Sequence, residues 1–381
     1  MENIRYPDYE NSILNLITSI LKYYNVETKH TSLKILDEKL NEKDYKNVVL
    51  LVLDGLGTHI LNTVPASFLK SHNVKTLTSV YPSTTTAALT TYYSGRPPYE
   101  TGWIAWSQYF KEFGRAIDML AHIESYEGRR FDKPVLEKYW DLMKYDSVFD
   151  RIEKANPNIK AYEITPDYSD KRSRRSIRAN NVEEICENLE LLCNTNGKKF
   201  IMAYSDRPDG LLHKYGCTSE EAKNMILDAE KQIEKLLTRI NMDETLIIIS
   251  ADHGHKDIEE SSSILDYPEI MDLLIMPPTL ESRCLAFWVK EDKKEEFENK
   301  FNSTFKDKFI LLKTEDALKM NLFGFGDKHK KIDDFLGNYL ALSISNSIIR
   351  LETNLAPGKE IKKSTHCGIT KEEMEVPLII I

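Results

Sequence analysis

The chain has 381 residues, 41% of them hydrophobic and 29% charged, and a net charge of -9. That length is too great for one small core and fits one large α/β domain with an insertion, or two domains. The acidic balance, spread along the chain, argues against non-specific binding to a nucleic-acid polymer; a small anionic substrate stays open, because bound cations can dominate a local field.

No apolar run approaches the roughly 20 residues of a membrane span, so no membrane partner is expected. The opening stretch, MENIRYPDYENSILNLITSIL, lacks a basic segment followed by an apolar run. It reads as an amphipathic helix, not a signal peptide. The five cysteines, Cys186, Cys193, Cys217, Cys284 and Cys367, form no CxxC pair and are odd in number. A disulfide framework is therefore not expected, and the expected location is cytoplasmic.

In chain order, strand-like runs alternate with helix-like runs. NVVLLVL, at 47–53, reads as a buried strand and is followed at once by Asp54. KTLTSV, at 75–80, is a second strand, and TTTAALTTYYSG reads as a helix ending at Gly95. IKAYEI, at 159–164, is a third strand. NNVEEICENLELLCNT has helical periodicity, with apolar positions at Val182, Ile185, Cys186, Leu189 and Leu192. KKFIMAYS, at 198–205, is a strand that leads into Asp209 and His213. A long helix over 218–240 opens on a cap-like Thr218-x-x-Glu221. TLIIIS, at 245–250, is a strand that runs into Asp252, His253 and His255. VPLIII closes the chain as a last strand, preceded by His366. This alternation predicts an α/β fold with a doubly wound, mostly parallel sheet flanked by helices.

One segment breaks the pattern. Over 277–342, CLAFWVK, KEEFENKFNSTF, KFILLK and TEDALKM read as strand, helix, strand and helix. They suggest a small inserted α+β unit, with 1–276 and 343–381 as the core.

Ligands in open α/β sheets gather at the carboxyl ends of strands. Here four strand ends each supply a carboxylate or an imidazole. Asp54, Asp209, Asp252, His213, His253 and His366 make six donors. Three protein ligands and an open position are usual for catalytic zinc, so six donors fit two metals. Taken alone, Asp209 and His213 are four apart and read equally as a surface pair on a helix. A two-metal site suggests displacement at a phosphoryl centre. Such a site needs a nucleophile, and YPSTTTAALTTYYSG offers hydroxyls at a helix start, where free N–H groups favour an anion. The competing reading is that Ser83, Thr84 and Thr85 only cap the helix.

Taken together, these blocks resemble the alkaline phosphatase superfamily, and within it the nucleotide pyrophosphatase/type I phosphodiesterase branch. VLLVLDGLG, YPSTT, PDGLLHKYG, SADHG and THCGITKEEMEVPLII match the branch's blocks in order and span most of the chain. The resemblance implies an alkaline phosphatase-like fold and hydrolysis of phosphate esters through a covalent phospho-threonine on Thr85. It implies two divalent ions, zinc or alternatively manganese, and a small phosphorylated, nucleotide-like substrate. One ion would be held by Asp209, His213 and His366. The other would be held by Asp54, Asp252 and His253, with Thr85 Oγ added. His255 has no ligand role in that pattern and is expected to support the ligands from behind or to line the pocket. Trp103 and Trp106, in GWIAWSQYFKEFG, are candidate substrate contacts, for which core packing is the rival reading. Cys367 departs from the branch's closing His-Gly. The same metal site would also serve a phosphomonoesterase or a phosphonate hydrolase, and a protein that binds metal without turnover is the third reading.

Overall fold

The computed structural model describes residues 3–125, 128–351 and 362–381. A seven-stranded sheet forms its centre, in the order Asn73–Thr78, Glu375–Ile380, Thr245–Ser250, Asn47–Leu53, Lys199–Ser205, Lys160–Thr165, Arg175–Arg178. The three middle strands are buried along their whole length. This is what continuous β-branched and aliphatic runs require when helices cover both faces of a parallel sheet. Pairing is parallel from Thr245–Ser250 across to Arg175–Arg178. Only Glu375–Ile380 runs against its neighbours.

That reversal matters for the site. Asp54, Asp209 and Asp252 follow the carboxyl ends of parallel strands, whereas His366 precedes the amino end of the reversed strand. The reversal puts all four at one edge of the sheet.

The helices lie close to the expected places. Ile13–Tyr23 is buried from Ile13 to Leu21, so it is a core helix more than an amphipathic one. It packs on Thr85–Ser94, which ends at Gly95 with φ +66°, the left-handed stop that glycine permits. Val182–Cys193 packs on the long helix Glu220–Leu237. The cap of that long helix is Ser219, whose side chain accepts from Ala222 N–H, and not Thr218.

A second, antiparallel seven-stranded sheet has the order Phe309–Lys313, Tyr339–Ser343, Cys284–Val289, Leu274–Glu281, Ser107–Phe110, Arg115–Asp118, Ile123–Glu124. It contains the strands expected within 277–342, with the helices Lys294–Phe305 and Thr314–Lys319 beside them. It also takes three strands from 107–124, which the sequence reading leaves without a sheet.

Arg283, in the turn between two of these strands, joins this sheet to the segment after His366. Its guanidinium meets Glu373 in two hydrogen bonds, Nε to Oε1 at 2.6 Å and Nη2 to Oε2 at 2.8 Å, and both side chains are fully buried. Glu373 in turn accepts from Gly368 N–H and Thr370 Oγ1. Breaking one side of such a pair leaves a buried charge uncompensated. Arg283→Met is expected to destabilise by about 3–5 kcal/mol, and the double change with Glu373→Met to recover much of that. Chemical denaturation measures both; equal losses for the single and double variants would refute the pairing.

Candidate active site

The first cluster forms around His253. Asp252 Oδ1 accepts two backbone N–H groups, from Gly55 at 3.0 Å and His253 at 2.9 Å. Asp54 Oδ2 accepts the Tyr204 hydroxyl at 2.5 Å. The remaining oxygens, Asp54 Oδ1 and Asp252 Oδ2, are buried and have no hydrogen-bond partner. Each lies 3.4 Å from His253 Nε2. His253 Nδ1 faces the Gly254 carbonyl at 3.1 Å. A carbonyl only accepts, so Nδ1 carries the proton and Nε2 turns a lone pair inward. Two carboxylate oxygens and an imidazole lone pair thus converge with no donor among them. Burial, then Asp252 and Asp209, push the Asp54 carboxyl well above its usual range. Such a cluster is electrostatically unfavourable until a cation joins it.

Thr85 opens the helix at this point. Its Oγ1 is 3.1 Å from His253 Nε2. The neighbouring hydroxyls are placed otherwise. Ser83 Oγ donates to Gly368 O at 2.9 Å, Thr84 and Thr86 are fully buried, and Thr85 keeps 8% exposure. Thr84 occupies the cap position without a side-chain cap bond.

The second cluster surrounds Asp209. Its Oδ1 is 3.3 Å from His213 Nε2, 3.7 Å from His366 Nε2 and 2.7 Å from His255 Nε2. The same rule orients these rings. His213 Nδ1 donates to Ser364 O at 2.8 Å and His366 Nδ1 to Ser83 O at 3.2 Å, so both Nε2 atoms face inward. Burial lowers the pKa of His213 to about 3 and holds His366 well below its usual value. Neutral imidazoles of this kind keep their lone pairs for a metal. The rings of His253 and His366 stack with centroids 3.8 Å apart, which makes the two clusters one site.

Short contacts hold the clusters in register. Lys256–Asp257 pairs antiparallel with Ser364–Thr365, bringing His255 and His366 to the same point. Gly55 adopts φ +76°, and a Cβ there would meet the Asp209 backbone and the His255 ring at 3.1 Å. A Cβ on Gly254 would lie 2.0 Å from Glu372 O. These two glycines let backbone pack where side chains would prevent the site from closing.

His255 lies beside the ligands of the second cluster. It is fully buried, and it joins Asp209, His253 and His366 in a group whose donor atoms all lie within 4.8 Å of one another. His213 is outside that group. Ser364 Oγ donates to Leu212 O at 2.7 Å and so accepts from His255 Nδ1 at 3.0 Å. With Nδ1 as donor, His255 Nε2 turns its lone pair to Asp209 Oδ1 at 2.7 Å, an arrangement that a cation between them would relieve. His255→Ala is expected to lower turnover by about ten- to a hundredfold, the scale for a residue that orients a metal ligand. The same change at His253 should cost considerably more. Steady-state rates of the two variants decide this, and equal losses would overturn the distinction.

The two tryptophans separate. Trp103 is 1% exposed, its indole N–H donates to Met143 O at 2.9 Å, and it packs on Tyr139 and Tyr145. It belongs to the core of the second sheet and is closed to a ligand. Trp106 is 41% exposed, and its backbone N–H donates to Glu281 Oε1 at 2.8 Å. Glu281 was not legible as a site residue. Burial raises its pKa, and it lies within electrostatic reach of Lys362 and His253.

Residues 48–322 match the sequence pattern of the type I phosphodiesterase/nucleotide pyrophosphatase family. The chain belongs to this family. No curated protein matches this type I phosphodiesterase family member in sequence at a significant level. Among solved structures, it is similar to murine ectonucleotide pyrophosphatase/phosphodiesterase 5, seen as an inactive variant in complex with AMP. The identity is 15%, the TM-score 0.64, and 87% of each chain is covered. The human protein of that name is 17% identical, with a TM-score of 0.63 and 87% of each chain covered. Phosphonoacetate hydrolase from Sinorhizobium meliloti 1021, in complex with phosphonoformate, is 16% identical, with a TM-score of 0.63. That likeness covers 89% of this chain and 92% of the other. At these identities the likeness shows the alkaline phosphatase-like fold.

Proposed function

We propose that this family member is a two-metal hydrolase of phosphate diesters and pyrophosphates that works through a covalent phospho-threonine on Thr85. The observation that supports it is the convergence of Thr85 Oγ1, His253 Nε2 and two unpartnered carboxylate oxygens. Asp54, Asp252 and His253, with Thr85 Oγ1, would hold one divalent ion; Asp209, His213 and His366 would hold the other. The mixed nitrogen and oxygen donors suit zinc, with manganese as the alternative. Bound there, the ions would stabilise an alkoxide and the charge on a departing oxygen.

The chain's own residues supply the rest. The Thr85 hydroxyl gives its proton to solvent and its Oγ1 attacks phosphorus, forming the Oγ–P bond as the bond to the leaving oxygen breaks. The first turn of the helix Thr85–Ser94 turns N–H groups toward the phosphoryl oxygens. In-line geometry sends the leaving oxygen toward Asp209, His213 and His366. Water then attacks phosphorus, one of its protons restores the Thr85 hydroxyl, and the phosphate monoester is released.

A small nucleotide-like substrate fits this reading, in keeping with the AMP bound by the murine relative. Phosphonate hydrolysis is the second reading, favoured by the fold shared with phosphonoacetate hydrolase. Rates on bis-p-nitrophenyl phosphate, p-nitrophenyl phosphate and phosphonoacetate separate the readings. Diester turnover should lead; phosphonoacetate turnover alone would favour the second. A protein without turnover on any of the three would refute both.

Elemental analysis of protein purified without chelator should find about two divalent ions per chain. A metal-free protein with full activity would refute the metal assignment. The five buried, free cysteines support a reducing, cytoplasmic setting. No helix among the described residues is long and apolar enough to cross a membrane.

A further inference from the structure

Lys362 stands just before the short strand Ser364–Thr365, at the edge of the second cluster. Its Nζ is 3.0 Å from His213 Nε2. The other nitrogen of that ring donates to Ser364 O, so Nε2 carries the lone pair and the ammonium donates to it. The ammonium thus sits on the atom expected to bind metal. A divalent ion on that atom would take the lone pair and leave two cations side by side. That arrangement is favourable only with an anion between them. Lys362 is exposed.

Glu281, from the second sheet, accepts the Trp106 backbone N–H at 2.8 Å. An ammonium on the His213 side favours a negative charge there. The in-line path from Thr85 sends the leaving portion of the substrate to the same His213 side.

We propose that Lys362 binds a second anionic group carried by the leaving portion of the substrate. On the phosphoryl-transfer reading above, it selects phosphoryl compounds with a charged leaving group, either a phosphate, as in a pyrophosphate linkage, or a carboxylate, as in a carboxylated phosphonate. Its three N–H donors match the oxygens of either group.

The experiment uses the full-length, zinc-loaded protein, with Lys362→Ala and Lys362→Arg. The substrates are a nucleoside triphosphate, the p-nitrophenyl ester of a nucleoside monophosphate, and phosphonoacetate. In Lys362→Ala the ratio of kcat/KM for the triphosphate over the aryl ester should fall by about ten- to a hundredfold, as for one lost hydrogen bond to a charged group. Lys362→Arg should keep most of the ratio. Calorimetric affinity for inorganic pyrophosphate should fall by a similar factor, while elemental analysis still finds about two ions per chain. A fall seen only with phosphonoacetate identifies the anionic group as a carboxylate and also supports the proposal. Unchanged ratios with unchanged pyrophosphate affinity would overturn it, as would loss of metal from Lys362→Ala. If wild type turns over none of the three substrates, the phosphoryl-transfer reading fails, and pyrophosphate affinity alone then decides the role of Lys362.

Discussion

Thr85→Ala should leave the protein folded and remove nearly all turnover, a loss of roughly four orders of magnitude or more, as for other catalytic nucleophiles. On the proposed route this hydroxyl bonds phosphorus, and it lies 3.1 Å from His253 Nε2. Thr85→Ser keeps a hydroxyl at the helix start and should retain part of the activity. Thr84→Ala and Thr86→Ala remove buried hydroxyls that have no hydrogen-bond partner. Their effect should fall on stability, at about 1 kcal/mol or less. Mass spectrometry of acid-quenched enzyme after brief exposure to substrate, with peptide mapping, should find a phosphoryl group on Thr85. An adduct on Ser83, Thr84 or Thr86 would overturn the assignment. An adduct on none of the four would count against the covalent route.

The second large effect is expected at the metal ligands. His366→Ala removes a ring whose Nδ1 is fixed by the Ser83 carbonyl and whose Nε2 faces Asp209. Asp252→Asn is subtler. A side-chain oxygen can still accept the Gly55 and His253 N–H groups, as Asp252 Oδ1 does. The amide nitrogen then replaces Oδ2, turning an acceptor that faces the cluster into a donor. Each change should cost several orders of magnitude in rate, on the order of 10³ or more, because one ion loses a direct ligand. Elemental analysis should show depleted metal in both. Asp252→Asn should also raise the melting temperature of chelator-treated protein, since it relieves charge repulsion with the buried Asp54. Activity within tenfold of wild type in either variant would refute the ligand assignment.

Much of this was legible in the chain itself. The continuous apolar runs at 47–53, 199–205 and 245–250 could only be buried parallel strands, and each ended in an acidic or imidazole group. A strand's polar terminus is a local feature, so Asp54, Asp209, Asp252 and His253 stood out without knowledge of neighbours. His366 was found by the same rule applied to the last strand, although that strand runs the other way. The hydroxyl run could be located but not resolved from local pattern. Separating Thr85 from Ser83, Thr84 and Thr86 depends on which rotates toward His253.

Other features depended on contacts between distant segments. Periodicity reports which face of a strand is buried, not which strand lies beside it, so it could not attach 107–124 to the strands at 274–343. Aromatic side chains look alike in sequence whether they fill a core or face solvent, and only packing put Trp103 inside and Trp106 on the surface. His255 took its place beside Asp209 because Lys256–Asp257 pairs with Ser364–Thr365, more than a hundred residues on. Lys362 is an ordinary charged residue until the fold sets its Nζ 3.0 Å from His213 Nε2. The sequence alone determined the kinds of donor atom available and the strand ends that carry them, because those follow from local composition. The tertiary structure alone decided which donors meet, which charges border them and which hydroxyl faces them, because those distances are set by long-range pairing.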